Sequence, residues 1–191
     1  MPMQTTLTHG CQTFGACTGK LTKRISPYWA FVLELNCLPP RSAVKALDAP
    51  LGPEIGVVEA RWTPEGQQDE VVGGLSQPFL AGAFHDDAIS QLPPDAVRLA
   101  AGKTYPVQAF RRGAAVGLQF HPEATPEIFR EWSEVALRRF PWLEELIRAK
   151  VYEFERLDAI SMQEKQALVN NFIDSVRHTQ ARKNSGAQTS Q

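Results

Sequence analysis

No run of about 18 apolar residues occurs in this 191-residue chain, so nothing in the sequence is long and apolar enough to span a bilayer, and no membrane partner is expected. The opening text, "MPMQTTLTHGCQTFG", lacks the apolar core of a secretion signal. Cysteine is scarce and odd in number: Cys11, Cys17 and Cys37. Without a secretion signal they are expected to be cytosolic thiols rather than a disulfide frame, and a cytoplasmic location follows as an expectation. Neither the cysteines nor the histidines fall at the spacings of a zinc ligand set, and no metal or cofactor is expected. An excess of one charge is missing too. Twenty Lys and Arg stand against 21 Asp and Glu, a net charge of −1, which argues against nucleic acid as a partner. Hydrophobic residues make up 43% of the chain, enough for the core of one ordinary domain, with or without a helical appendage.

Three textures follow one another. Residues 1 to about 46 show little periodicity; within them "YWAFVLEL" reads as a strand that Pro39-Pro40 would stop. From about 47 to 124 the text is a series of short strands and turns. "EIGVVEARW" ends at a turn "TPEG", "FLAGAFHDD" leads into "QLPPDAVRLAAG" with a loop at Pro93-Pro94, and "YPVQAFRRG" and "AVGLQFHPE" flank Gly113 at hairpin spacing. Consecutive hairpins predict an antiparallel or mixed sheet. From Thr125 the period is helical: Thr125 as N-cap, Pro126 at the first helical position, Glu127 near the positive end of the dipole. Ile128, Phe129, Trp132, Val135 and Ala136 form the expected apolar stripe. Pro141 breaks or restarts this helix, a further helix is expected to open on a cap at Ser161, and the tail from about Ala181 is expected to be disordered.

His121 and Glu123 sit where the strand "AVGLQF" gives way to the capped helix. In a turn, the carboxylate of Glu123 can fix the tautomer of His121 and stabilise its protonated form; a histidine held so is a general base, which needs a nucleophile to activate. Taken alone, the triplet is better read as a surface His-Pro-Glu turn without chemistry. The longer text "GLQFHPEATPEIF" resembles the "GxQFHPE" strand end of the class I glutamine amidotransferases. "PEIGVVEARWTPEG", "FHDDAISQLPPDAVRLAAG" and "YPVQAFRRG" resemble three further blocks of that family in the same order, so that the likeness covers residues 53 to 129. The resemblance implies hydrolysis of glutamine to glutamate and ammonia through a cysteine thioester. It gives His121 the role of activating the cysteine and protonating the leaving ammonia, and Glu123 that of orienting His121. His85 and Asp86 fall in a segment near the family's glutamine site and are candidate substrate-binding residues; a loop anchored by a buried histidine is the plain alternative. Gln108 also matches a family position, but a partly buried strand residue is the plainer explanation.

The family's nucleophile elbow, "PVLGICLGxQLLA", has no counterpart in the text. Cys37 is the nearest candidate, but Leu35 and Pro39 stand where two glycines should be and Arg41 replaces a glutamine. Proline has no N–H to donate to an oxyanion, and leucine resists the strained turn. Cys11 and Cys17 lie too early, although "GACTG" mimics the elbow on the surface. Back-translation offers another account. Read from the third base of each codon, Tyr28-Trp29 force Leu, Trp29-Ala30 force Gly and Asn36-Cys37 force Leu, and the free positions permit the whole string PVLGICLGAQLLAAALGGK. Its cysteine codon falls across Phe31 and Val32.

The expectations are therefore these. The fold is α/β, the carboxyl half of a flavodoxin-like class I glutamine amidotransferase: residues 47–150 form that half, 151–180 a helical extension, 181–191 the tail, and 1–46 an out-of-frame or divergent segment. The chain as it stands is expected to be inactive for want of an elbow. Glutamine and an ammonia-accepting synthetase are the implied partners. A non-catalytic binding or regulatory module that keeps the half-fold is the alternative. A metal hydrolase built from His85, Asp86, His121 and Glu123 is a third reading, against which stands that nothing in their spacing selects a metal.

Overall fold

"EIGVVEARW" alternates as a half-buried strand should: Val58, Ala60 and Trp62 are buried while Glu59 and Arg61 between them are exposed. This strand, Glu54–Trp62, is the fourth of nine in a computed structural model that describes residues 22–23, 31–34 and 45–188. Ahead of it come β1 (Thr22–Lys23), β2 (Phe31–Glu34) and β3 (Lys45–Asp48); after it β5 (Phe79–His85), β6 (Asp87–Gln91), β7 (Val97–Ala101), β8 (Ala109–Arg112) and β9 (Ala115–Leu118). Seven strands form one sheet in the order β1-β2-β9-β8-β7-β4-β5, and β3 and β6 form a separate pair. Every pairing among the described residues is antiparallel. The hairpin expected about Gly113 joins β8 to β9, with Arg112 opposite Ala115 and Gly113 at φ +58, a conformation that costs glycine little.

The longest pairing, β4 with β5, runs from Glu54 opposite His85 to Ala60 opposite Phe79 and packs against a core on each of its faces. Val58, Ala60, Phe79, Ala81 and Ala83 face one core, which Leu168 and Phe172 complete from a helix. Ile55, Val57 and Phe84 face the other, around Ala124, Phe129 and Phe154. The helices that cover them are α2 (Pro126–Arg139) and α3 (Glu144–Gln188); a 3₁₀ turn at Pro141–Leu143 separates the two, so that Pro141 interrupts the helix where the sequence places the break.

Four local expectations need correction. "TPEG" is not a plain turn but the short helix α1 (Pro64–Gln67), capped by the Thr63 hydroxyl, which accepts from the Gly66 N–H at 3.1 Å. Val135 is 50% exposed; the buried face of α2 is made by Phe129, Ser133 and Ala136 instead, and the Ser133 hydroxyl is satisfied by donating to the Phe129 carbonyl at 2.8 Å. Ser161 opens nothing. It lies inside the 45-residue α3 and its hydroxyl donates back to the Asp158 carbonyl at 3.2 Å. The same helix runs on to Gln188, through most of the tail that the sequence leaves without structure; residues 189–191 lie outside the described part. Thr125, by contrast, caps α2 as its sequence suggests, accepting from the Ile128 N–H with Pro126 next to it.

Candidate functional site

β9 ends at Leu118, and the chain continues through Gln119 and Phe120 before His121 is caught by the far side of the sheet. Its N–H donates to the Gly82 carbonyl of β5 at 2.7 Å, an isolated antiparallel bridge. The turn then closes on itself as the Ala124 N–H donates to the His121 carbonyl at 3.2 Å, and Thr125 starts α2. So held, His121 is buried, and its Nδ1 lies 3.2 Å from Glu123 Oε1. The edge of its ring meets Trp132, one α2 turn beyond Phe129, at a centroid distance of 4.8 Å. Phe129 in turn stacks on Phe154 of α3 at 4.3 Å and meets Phe84 edge-on at 5.5 Å. An aromatic wall headed by Trp132 thus lies beside the imidazole. The second carboxylate oxygen, Glu123 Oε2, is buried and without a hydrogen-bond partner among the described residues.

His85 belongs to a different cluster. Strand alternation sends Phe84 toward Trp132 and the His121 side, and its neighbour His85 toward the other face of β5. There its Nδ1 lies 2.7 Å from the Asp87 carbonyl, and its Nε2 3.2 Å from Glu54 Oε2, close enough for an ion pair but not aligned for a hydrogen bond. Glu54 Oε2 also accepts from Gln108 Nε2 at 2.7 Å. Gln119 Nε2 donates to the Asp87 carbonyl at 2.8 Å. Tyr105 closes the group, donating to the Gly52 carbonyl at 2.5 Å; burial holds its hydroxyl above the ordinary value, the Leu51 N–H opposing and the charge of Glu54 adding to that rise. Asp86 is not in this group either: its carboxylate faces outward and pairs with Arg139 at 2.9 Å. The structure therefore unites His121 with Glu123, and separates both from His85 and Asp86. Among the described residues no three His, Cys, Asp or Glu side chains gather as a metal site, which removes the geometric basis of the four-residue metal reading. Cys37, with Cys11 and Cys17, lies outside the described residues.

No family model matches the chain, and no curated protein does. Solved structures do. A glutamine amidotransferase from Thermotoga maritima superposes with a TM-score of 0.57 at 22% sequence identity, over 68% of this chain and 54% of that one. A glutamine amidotransferase from Methylobacillus flagellatus gives a TM-score of 0.53 at 19% identity, over 69% and 55%. The fold is that of the glutamine amidotransferases. The chain spans little more than half the length of these two structures, with a mixed α/β architecture in which a strand-rich middle precedes C-terminal helices, the class expected from the sequence. No helix among the described residues is long and apolar enough to cross a membrane.

Three participants in this arrangement escaped the sequence reading, Tyr105 among them. Gln119 lies inside the "GLQFHPE" text but carries no sign of which face it serves. Glu54 opens β4, and only the register of β4 against β5 brings it to His85.

Proposed function

We propose that His121 and Glu123 are the general base and orienting acid of a glutamine-hydrolysing site that works through a cysteine thioester. The observation that supports the reading is the pair of buried His121 and half-buried Glu123, 3.2 Å apart, at one end of a sheet with the amidotransferase fold. With a proton on Nδ1 directed at Glu123, Nε2 keeps its lone pair and can take the proton of a thiol. The thiolate then attacks the side-chain carbonyl carbon of glutamine. As the C–N bond breaks, the imidazolium returns the proton to the leaving nitrogen and ammonia departs. Water next attacks the thioester, giving glutamate and restoring the thiol. The ammonia would pass to a synthetase partner.

The chain itself lacks the other half of this chemistry. "NCLPPR" around Cys37 offers neither the glycines of an elbow nor a free amide at Pro39, so glutaminase activity is expected to be absent. Out-of-frame text over residues 1–46 accounts for that absence, and sequencing the gene across codons 20 to 50 tests it. A shifted frame that encodes Gly-x-Cys-x-Gly supports the reading; one that does not leaves a non-catalytic module with an amidotransferase half-fold. The functional test is glutamine hydrolysis in a chain whose frame is restored. Turnover is expected there and is expected to vanish in His121→Ala. Turnover by the present chain that Cys37→Ala abolishes would overturn the account of the elbow.

A further inference from the structure

We propose that the buried Lys165–Asp158 pair of α3 is a positioning device for the His121–Glu123 turn, an inference that rests on His121 being the base of the site. Lys165 and Asp158 are both buried, at 5% and 4% exposure, and form an ion pair within one helix. A pair kept wholly inside a protein is not a gain in stability by default, because desolvating two charges offsets their attraction. What distinguishes this one is its third partner. Lys165 Nζ also donates to the Ala124 carbonyl at 3.0 Å, 41 residues away in sequence. Ala124 is 1% exposed and precedes the cap of α2, so its carbonyl has no acceptor role inside a helix and would otherwise be a buried orphan. The remaining side of the ammonium faces the Phe154 ring, 5.6 Å from its centre.

The consequence is a short relay to the imidazole. Ala124 donates its N–H to the His121 carbonyl, and His121 donates its own to Gly82. The turn that carries His121 and Glu123 is thus clamped at one end by the β5 edge strand and at the other by a cation from α3. Asp158 holds that cation in place from within α3. Phe154, which the ammonium overlies, also stacks on Phe129, so the same helix sets the aromatic wall beside His121. Lys165 and Asp158 are positioning residues: they act on the base through the backbone of Ala124.

The test uses the full chain and does not depend on turnover. Replacing both partners by apolar residues of similar size, Asp158→Leu with Lys165→Met, removes the tether while leaving no unpaired buried charge. The expected result is a folded protein in which the ring-nitrogen resonances of His121 move away from those of the parent, and in which amide exchange at Ala124 and His121 rises about tenfold or more. Exchange along the rest of α3 should stay as in the parent. A folded double variant with the parent His121 ring-nitrogen resonances and unchanged exchange at Ala124 overturns the proposal. If that variant fails to fold, Asp158→Asn with Lys165→Met, closer in shape, is read in the same two ways. Failure of the glutaminase reading shows instead as a repaired protein with an ordered His121 and no hydrolysis, a distinct outcome.

Discussion

At the scale of single residues, two carboxylates show how differently sequence can speak. Glu123 is legible because its partner His121 lies two positions away and a turn suffices to join them at 3.2 Å. Asp69 carries no such sign, yet it organises more structure. Its Oδ1 accepts from the buried Val71 and Val72 N–H groups at 2.8 and 3.2 Å and from Arg111 Nη2 at 2.9 Å, while Arg111 Nε reaches Oδ2. Burial alone would raise the Asp69 pKa; the Arg111 guanidinium and the two backbone donors outweigh it and hold the group below its usual range. A depressed folded pKa means stability that is present above the unfolded value, about 3.9, and lost as pH falls through the folded one. Asp69→Asn should therefore lower stability by about 2 kcal/mol at pH 6, and the gap to the parent should narrow below about pH 4. Urea titrations of both proteins from pH 6 to pH 3 measure it. A gap that stays constant over that range would show that the carboxylate charge contributes nothing.

At the scale of elements, what could be read was whatever local chemistry decides. Gly113 between two alternating runs makes the β8–β9 hairpin, and Thr125-Pro126-Glu127 starts α2, because turn and cap residues act on their own backbone. What could not be read depends on distant partners. Val135 fits an apolar stripe but faces solvent, since the second core takes Phe129, Trp132 and Phe154 and stops there. Ser161 has the chemistry of a cap, and only the packing of residues on both sides of it keeps α3 continuous. Met162→Pro tests that continuity. Were Ser161 a cap, proline would occupy the first helical position at little cost. Inside a helix it removes a hydrogen bond and clashes with the preceding turn, for about 3 kcal/mol or more. Since Met162 is 51% exposed, lost packing does not confuse the result, and the denaturation midpoint should fall accordingly. A second element-level contact is tighter still. A Cβ on Gly82 would lie 2.8 Å from the Phe154 ring and 3.4 Å from Ala124 Cβ. That ring is stacked on Phe129 and cannot swing aside, so Gly82→Ala should cost about 1–3 kcal/mol, read by the same titration. An unchanged midpoint would mean that β5 and α3 do not approach so closely.

At the scale of the whole molecule, the sheet between β4 and β5 has two covered faces, and α3 serves both. Phe154 belongs to the core beside His121; Leu168 and Phe172 belong to the larger core with Val58, Phe79 and Leu99. Sequence periodicity announces a helix in this stretch but cannot say that its second half seals the opposite face of the sheet, because the pairing of distant surfaces leaves no trace in local spacing. A chain ended after Ile160 keeps Phe154 and every strand, and loses Leu168 and Phe172, which are 0% and 1% exposed. It also loses Lys165, the donor to Ala124. Removing one large buried apolar side chain costs about 2–5 kcal/mol. Two such losses, with the opened face of β4 and β5, approach the whole 5–15 kcal/mol by which a domain is usually stable. The shortened chain should therefore show no cooperative thermal transition by near-ultraviolet circular dichroism, where the full chain shows one. The tryptophan signal should flatten in particular, because Trp62 lies in the same core and anchors its Nε1 on the Ser76 carbonyl at 3.0 Å. A sharp transition in the shortened chain would instead make residues 161–188 an appendage, and the larger core would then have to be closed by the strands alone.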